Sequence, residues 1–429
     1  MSAPVTKIKS AAEAGLSAQF AALPSGDAAR GRAFAAFEKS GLPHRRIEAW
    51  HYTDLRAKMR EALARAEPPG AAALTRAQGK LRAPMFAARV VLLDGVYQPG
   101  LSTLPAEVTG LRVASLAASA PAQISEAARA DAMVQLHLAL SQGGVRITLA
   151  DKAAIAQPVE IAHLYSGRDE ASHHSRVEIS VGDHASASFF EWRGMLGAAP
   201  VQINDVTQLS VGDHATCAML TSLDERLGHD ALCVLTFDAS VGAHARLDSC
   251  AFIKGGETVR RQIFTRLNGE HTRLTLNGVS LLRGTQHADT TLVVDHAAAH
   301  CESREFFRHI VDGEATGVFQ GKIIVRPGAQ KTDGGMRSNT LLLSEEAAMM
   351  NKPELEIFAD DVVCGHGATC GELDQNHLFY LMARGIPRKE AEGLLLQAFA
   401  SEAFEAVEND KLREALQAGV AQWLGSRAA

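Results

Sequence analysis

Two short segments carry side chains able to bind metal or move protons. The first is Asp295-His296-Ala297-Ala298-Ala299-His300-Cys301. It joins a carboxylate, two imidazoles and a thiol, all transition-metal ligand types. Histidines four apart converge on one point only on a helix. This segment follows a strand-like run at 290–294, so a structural role is expected. The second is Asp360-Asp361-Val362-Val363-Cys364-Gly365-His366-Gly367-Ala368-Thr369-Cys370. Glycines on both sides of His366 strip away bulk and leave ring and backbone accessible. A thiol lies two residues away, and imidazole and thiolate both ligate iron. The same composition also reads as a glycine-rich exit turn, and the residues alone do not choose.

A third group is periodic. Ser180-Val181-Gly182-Asp183-His184-Ala185 recurs at 210–215 and, with Ala243 replacing the aspartate, at 240–245. A looser copy, Asn268-Gly269-Glu270-His271-Thr272, comes 27 residues after the third. A fixed period in the 20–50 range signals stacked repeats, because one small β unit cannot bury its apolar face alone. The glycine fits a corner needing positive φ. Stacking would set His184, His214 and His244 in a column, with neighbours about 4.8 Å apart. No carboxylate or thiol keeps step with them, so polar corner residues are expected rather than a metal column.

Other chemistry is missing. There is no phosphate-binding G-x-x-x-x-G-K-[ST], no G-x-G-x-x-G after a strand, no H-E-x-x-H and no G-x-S-x-G. A net charge of −6 without a basic tract gives no footprint for nucleic acid. No apolar run reaches the roughly 18 residues of a membrane span. Without an N-terminal apolar h-region, no secretory signal is read, and six scattered cysteines suit a reducing cytoplasm.

The elements that must hold these groups are short strands. From about 144 to 370 they follow one another with turns between and almost no helical periodicity. The reading is therefore mainly β: a parallel β-solenoid at 144–370, between a mainly helical region at 1–143 and a helical one at 371–429. Within the first region a helix is expected over 45–65 and a linker over 67–84. In the last, Asp374 or Asn376 caps a helix, Pro387 opens a longer one and Asp410 a third. Their apolar faces have no obvious internal destination, so truncation after Gly385 should leave the solenoid folded.

Several of these segments resemble the SufB/SufD family of iron–sulfur cluster assembly proteins. The likeness rests on Cys364-Gly365-His366-Gly367-Ala368-Thr369, Leu378-Phe379-Tyr380-Leu381 and Arg384-Gly385-Ile386. Upstream it takes in Asp295-His296, Cys301, Ser303, Phe319-Gln320-Gly321-Lys322, Ala329-Gln330-Lys331-Thr332-Asp333, Leu341-Leu342-Leu343-Ser344 and Pro353-Glu354-Leu355-Glu356-Ile357. Pro43 to Leu55 resembles the family's helical domain. The resemblance implies a right-handed parallel β-helix between helical regions, and a cytoplasmic, non-catalytic scaffold. It implies pairing with a SufB-like paralogue through the β-helix, or with itself in isolation, and docking of a SufC-like ATPase on the C-terminal helices. His366 then becomes a candidate iron ligand shared with a partner, and Cys364 a second interface residue. The iron–sulfur cluster would be transient in the complex, with no cofactor bound stably by this chain alone; flavin stays open and nothing in the sequence indicates it. Departures from the family pattern are Gly365 for serine, Cys370 for a non-cysteine, and Gly334-Gly335-Met336 for an Ala-aromatic-Gln run. Ser338 stands where the SufB branch has a key cysteine, which favours the SufD branch. A carbohydrate-active β-helix enzyme and a homo-oligomeric structural solenoid are the competing readings. The first would need exposed aromatics in a groove, and the sequence has 3 Trp and 4 Tyr.

Overall fold

The strands follow the sequence's turn spacing, and the computed structural model describes residues 9–427 apart from 107, 224–226 and 229. They are β1 (Arg89–Leu93), β2 (Val96–Tyr97), β3 (Leu111–Leu116), β4 (Gly143–Leu149), β5 (Val159–Tyr165), β6 (Ala171–His173), β7 (Ser175–Val181), β8 (Ser186–Met195), β9 (Val201–Val211) and β10 (Thr216–Leu223). There follow β11 (Ala231–Val241), β12 (Arg246–Ile253), β13 (Thr258–Leu267), β14 (Arg273–Leu282), β15 (His287–His296), β16 (Glu302–Val311), β17 (Thr316–Val325), β18 (Asp333–Leu342), β19 (Ala348–Ile357) and β20 (Val363–Gly371). Successive strands from β7 on alternate between two sheets. One sheet has the order β2-β1-β5-β8-β10-β12-β14-β16-β18-β20, and the other β19-β17-β15-β13-β11-β9-β7-β4-β3. Pairing is parallel apart from β1 with β2 and β3 with β4. This is a parallel β-solenoid, as the 30-residue period implied. Its sheets take in β1 and β3, upstream of residue 144.

Alternation places one side chain in two between the sheets. Leu209, Phe237, Leu247, Ile263, Leu274, Leu292, Phe307 and Phe319 form a continuous core there. Each coil turns at the repeated motif, and here the structure corrects the expectation about glycine. The left-handed residue is the histidine two positions later: φ is 57° at His184 and His214, 53° at His244, and 57° at His271 and His300. Lys152 and Lys331 take the equivalent conformation at φ 61° and 62°. The glycine is required by close approach instead. A Cβ on Gly212 would lie 2.5 Å from Asp183 Oδ1 and 2.8 Å from the Asp183 amide nitrogen. Gly212→Ala must push one coil off the next and is expected to cost about 1–3 kcal/mol, the usual penalty of overpacking. A urea midpoint unchanged from wild type would contradict this account of the corner.

The helices cover the outer faces. They are α1 (Ala11–Ala21), α2 (Ala28–Ser40), α3 (Leu55–Lys58), α4 (Ala71–Lys80), α5 (Glu126–Arg129), α6 (Ala132–Leu140), α7 (Gln375–Ala383), α8 (Arg388–Ser401) and α9 (Asp410–Arg427). Two expectations change. The stretch 45–65 is a single 3-10 turn at Glu48–Trp50 followed by the short α3, because tertiary contacts claim its residues. The Trp50 indole donates to Asp131 at 2.8 Å, and the Arg260 guanidinium lies 3.9 Å from its ring centre. The stretch 67–84 contains α4: Pro68-Pro69-Gly70 breaks the chain only upstream, and the alanines after it favour helix.

The C-terminal helices also have an internal destination. Leu396, Phe404, Leu416, Val420 and Trp423 pack with Leu220, Phe252, Val279 and Ile310 on the outer face of the β20-bearing sheet. A Cβ on Gly419 would sit 2.8 Å from the Phe252 ring, so α9 lies close against the strands. Cutting after Gly385 would uncover this surface. This corrects the premise that those helices lack an internal seat, and a chain cut there is expected to be less stable.

Candidate functional site

The sequence's second cluster forms β20, the last strand of its sheet, hydrogen-bonded on one side only. Its register sets Cys364 beside Gly334, His366 beside Met336 and Ala368 beside Ser338. Gly334 and Met336 line the solenoid interior, so Cys364 and His366 lie on the inward face at the open end. The Cys364 thiol is half-buried against the core, where burial raises its pKa over an opposing backbone hydrogen bond to Gly334. His366 is exposed. In the other sheet β19 is likewise a last strand, paired only with β17. Both sheets thus end in open parallel edges, and apolar groups stand out beside them: Val363 is 72% exposed and Phe358 58%. On the outer face, the missing side chains of Gly335, Gly365 and Gly367 leave a groove of about 680 Å³ bordered by Arg304, Phe306 and Arg337.

The first cluster does not assemble. Asp295 binds Arg266 at 2.7 Å and Arg326 at 2.8 Å. His296 is buried, 3.0 Å from the Ser303 hydroxyl, and burial lowers its pKa to about 4. His300 joins the corner column, and the Cys301 thiol donates to the Gly269 carbonyl at 3.2 Å. Among the described residues, no three His, Cys, Asp or Glu side chains converge on one metal position.

Two interior features escaped the reading of the sequence. Glu305, on the inward face of β16, is fully buried and neither carboxyl oxygen has a hydrogen-bond partner. Burial raises its pKa to about 8, and the nearby charge of Arg304 only partly opposes it. The unfolded chain's glutamate titrates near 4.3. Between these values the folded state holds the extra proton, so stability should fall as pH rises from about 4.5 to 8. Glu305→Gln is expected to flatten that slope, which is on the order of 3 kcal/mol across the window. Denaturant titrations at both ends of the window check this; parallel wild-type and variant profiles would contradict it.

The second feature is an ion network inside the coils. Glu191 Oε1 accepts from His163 Nε2 at 2.9 Å, Arg193 at 3.1 Å and Thr207 at 3.0 Å. The Tyr165 hydroxyl donates to Asp205 at 3.0 Å. Burial opposes ionisation of Glu191, yet Arg193 and the bonds from His163 and Thr207 outweigh it and hold the carboxyl well below the usual range. The signal was present as Glu191 and Arg193 at the inward positions of β8, where apolar residues belong.

Residues 163–399, which run from β5 into α8 and include Cys364 and His366, match the SufBD core domain of SUF-system FeS cluster assembly. The chain belongs to the SufBD family. It is 30% identical over 397 residues to the iron–sulfur cluster assembly protein SufD of Escherichia coli, covering 90% of each chain. It is 27% identical over 269 residues to SufD of Bacillus subtilis, covering 62% of this chain and 61% of that one. An iron–sulfur cluster assembly SufBD family protein of Synechocystis is 25% identical over 385 residues, 85% of this chain and 84% of its own. The family's work is iron–sulfur cluster assembly, and this chain takes part in it. No helix among the described residues is long and apolar enough to cross a membrane.

Proposed function

We propose that the chain is a non-catalytic scaffold subunit of a SufB–SufC–SufD-type complex in the cytoplasm. The observation that carries this reading is the open end. Long exposed parallel edges are normally shielded, since unpaired N–H and C=O groups template pairing with other chains. Here β19 and β20 are unshielded and bordered by apolar side chains, which suits addition of a partner's strands. A SufB-like paralogue would continue both sheets and bring its own ligands to Cys364 and His366. Two donors on this chain leave a nascent cluster incomplete, so the cluster is the complex's transient product and no resident group of this subunit. The C-terminal helices offer a second surface. Phe379 is 74%, Tyr380 56% and Leu394 45% exposed, while Leu396 of α8 and Leu412, Leu416, Val420 and Trp423 of α9 are packed down. A SufC-like ATPase would dock there.

Co-expression with SufB-like and SufC-like partners tests the reading through chromatography and iron and sulfide analysis. A ternary complex that gains iron and sulfide on reconstitution is expected, and a chain that elutes alone would overturn the proposal. Phe379→Asp with Tyr380→Asp should release the ATPase yet leave the SufB-like partner bound. Retained ATPase would exclude this surface.

A further inference from the structure

Five exposed histidines form a continuous column along one solenoid corner. Ring centres are 4.7 Å apart for His184–His214, 4.8 Å for His214–His244, 4.9 Å for His244–His271 and 4.7 Å for His271–His300. The first two pairs lie within 3° of parallel, and the last two open to 17° and 14°. Each residue's backbone is explained: its amide donates to the next coil, as from His184 to Asp213 and from His214 to Ala243, both at 2.8 Å. That accounts for a turn residue. It does not account for imidazole five times running at a left-handed position that asparagine, aspartate and glycine also favour.

One oxygen of each neighbouring aspartate is already occupied. Asp183 Oδ1 accepts the Asp213 amide at 2.9 Å, and Asp213 Oδ1 the Ala243 amide at 2.7 Å. The imidazoles and the second oxygens of Asp183 and Asp213 are left as donors at the corner. We propose that adjacent members of this column bind late divalent transition-metal ions as bis-imidazole sites. Metal–imidazole bonds are about 2.0–2.1 Å, so two ring nitrogens about 4 Å apart or less hold one ion. Stacked rings hold their in-plane lone pairs parallel, so the two rings of a pair must unstack and turn toward each other about the second side-chain torsion, which is broad for histidine, to share one ion. Being exposed, the rings are held mainly by stacking on one another. Water fills the remaining coordination positions, in keeping with the absence of any three-ligand cluster among the described residues. Five rings give two non-overlapping pairs, hence two ions per chain. Imidazole ligation ranks Cu²⁺ above Ni²⁺ and Zn²⁺. The column is remote in sequence from β20, and the inference stands whether or not the assembly role does.

Pairwise chelation has a signature that a count of histidines lacks. His214→Asn with His271→Asn leaves three column histidines, none adjacent. His184→Asn with His300→Asn also leaves three, all adjacent. Asparagine keeps the left-handed turn. In equilibrium dialysis of the untagged full-length chain against Cu²⁺, the first variant is expected to lose both tight sites, at least tenfold in affinity. The second should keep one. Equal binding by the two variants, or wild-type binding no tighter than that of the first, would overturn the proposal. Electron paramagnetic resonance of the wild-type chain decides independently of how the variants fold: two nitrogens per Cu²⁺ support it, and one nitrogen refutes it.

Discussion

His366→Ala should leave the chain folded and paired yet remove most of the iron and acid-labile sulfide recovered per reconstituted complex. The ring is exposed on the last strand, with Met336 on one side and no further coil on the other. Deleting an exposed side chain there changes stability by no more than about 0.5 kcal/mol. An alanine offers iron no donor atom. Ser338→Ala is the informative contrast. That hydroxyl is buried and donates to Asn351 at 2.6 Å, so its loss should cost about 1 kcal/mol with little change in iron. Cys364→Ala should fall between the two in iron content, because its thiol both touches the core and faces the open end. Normal iron in His366→Ala, or a loss matched by a lowered melting temperature, would leave His366 a structural residue of β20.

The largest stability effect should come from Glu191→Ala. Arg193 is 2% exposed and would lose the carboxylate 3.1 Å away, while His163 and Thr207 lose their acceptor. Arg193 keeps Asp205 at 3.5 Å, so the loss should fall toward the low end of the roughly 3–5 kcal/mol that breaking an isolated buried pair costs. Because the folded state depresses the Glu191 pKa, its contribution is present above the ordinary carboxylate range and is lost as pH falls through it. The difference between wild type and variant should therefore shrink in acid. A small difference at pH 7, or one that grows in acid, would show that the network contributes little.

The solenoid was legible because stacking makes each coil repeat the local rules of the last. Gly182, Gly212 and Gly242 recur at one spacing because the same backbone approach recurs at each corner. What one coil does to the next was not legible. Positive φ at His184 looked like the glycine's task because the two lie in the same turn, and only the folded backbone separates their roles. The edge position of Cys364 and His366 follows from β20 being last, and their inward direction from its register with Gly334 and Met336. Glu305 was invisible because one glutamate in a strand carries no mark of the face it takes. The seat of α9 on Phe252 joins residues far apart in the chain, which periodicity cannot connect.

Amide hydrogen exchange across the two end strands tests the central claim most directly. In the isolated chain, the outward-facing amides of 348–357 and 363–371 have no ladder partner beyond β17 and β18 and should exchange readily. On binding a SufB-like partner, both segments should slow at least tenfold while the corner amides stay unchanged. A complex that forms with these segments exchanging as freely as before would contradict pairing through the open end of the solenoid.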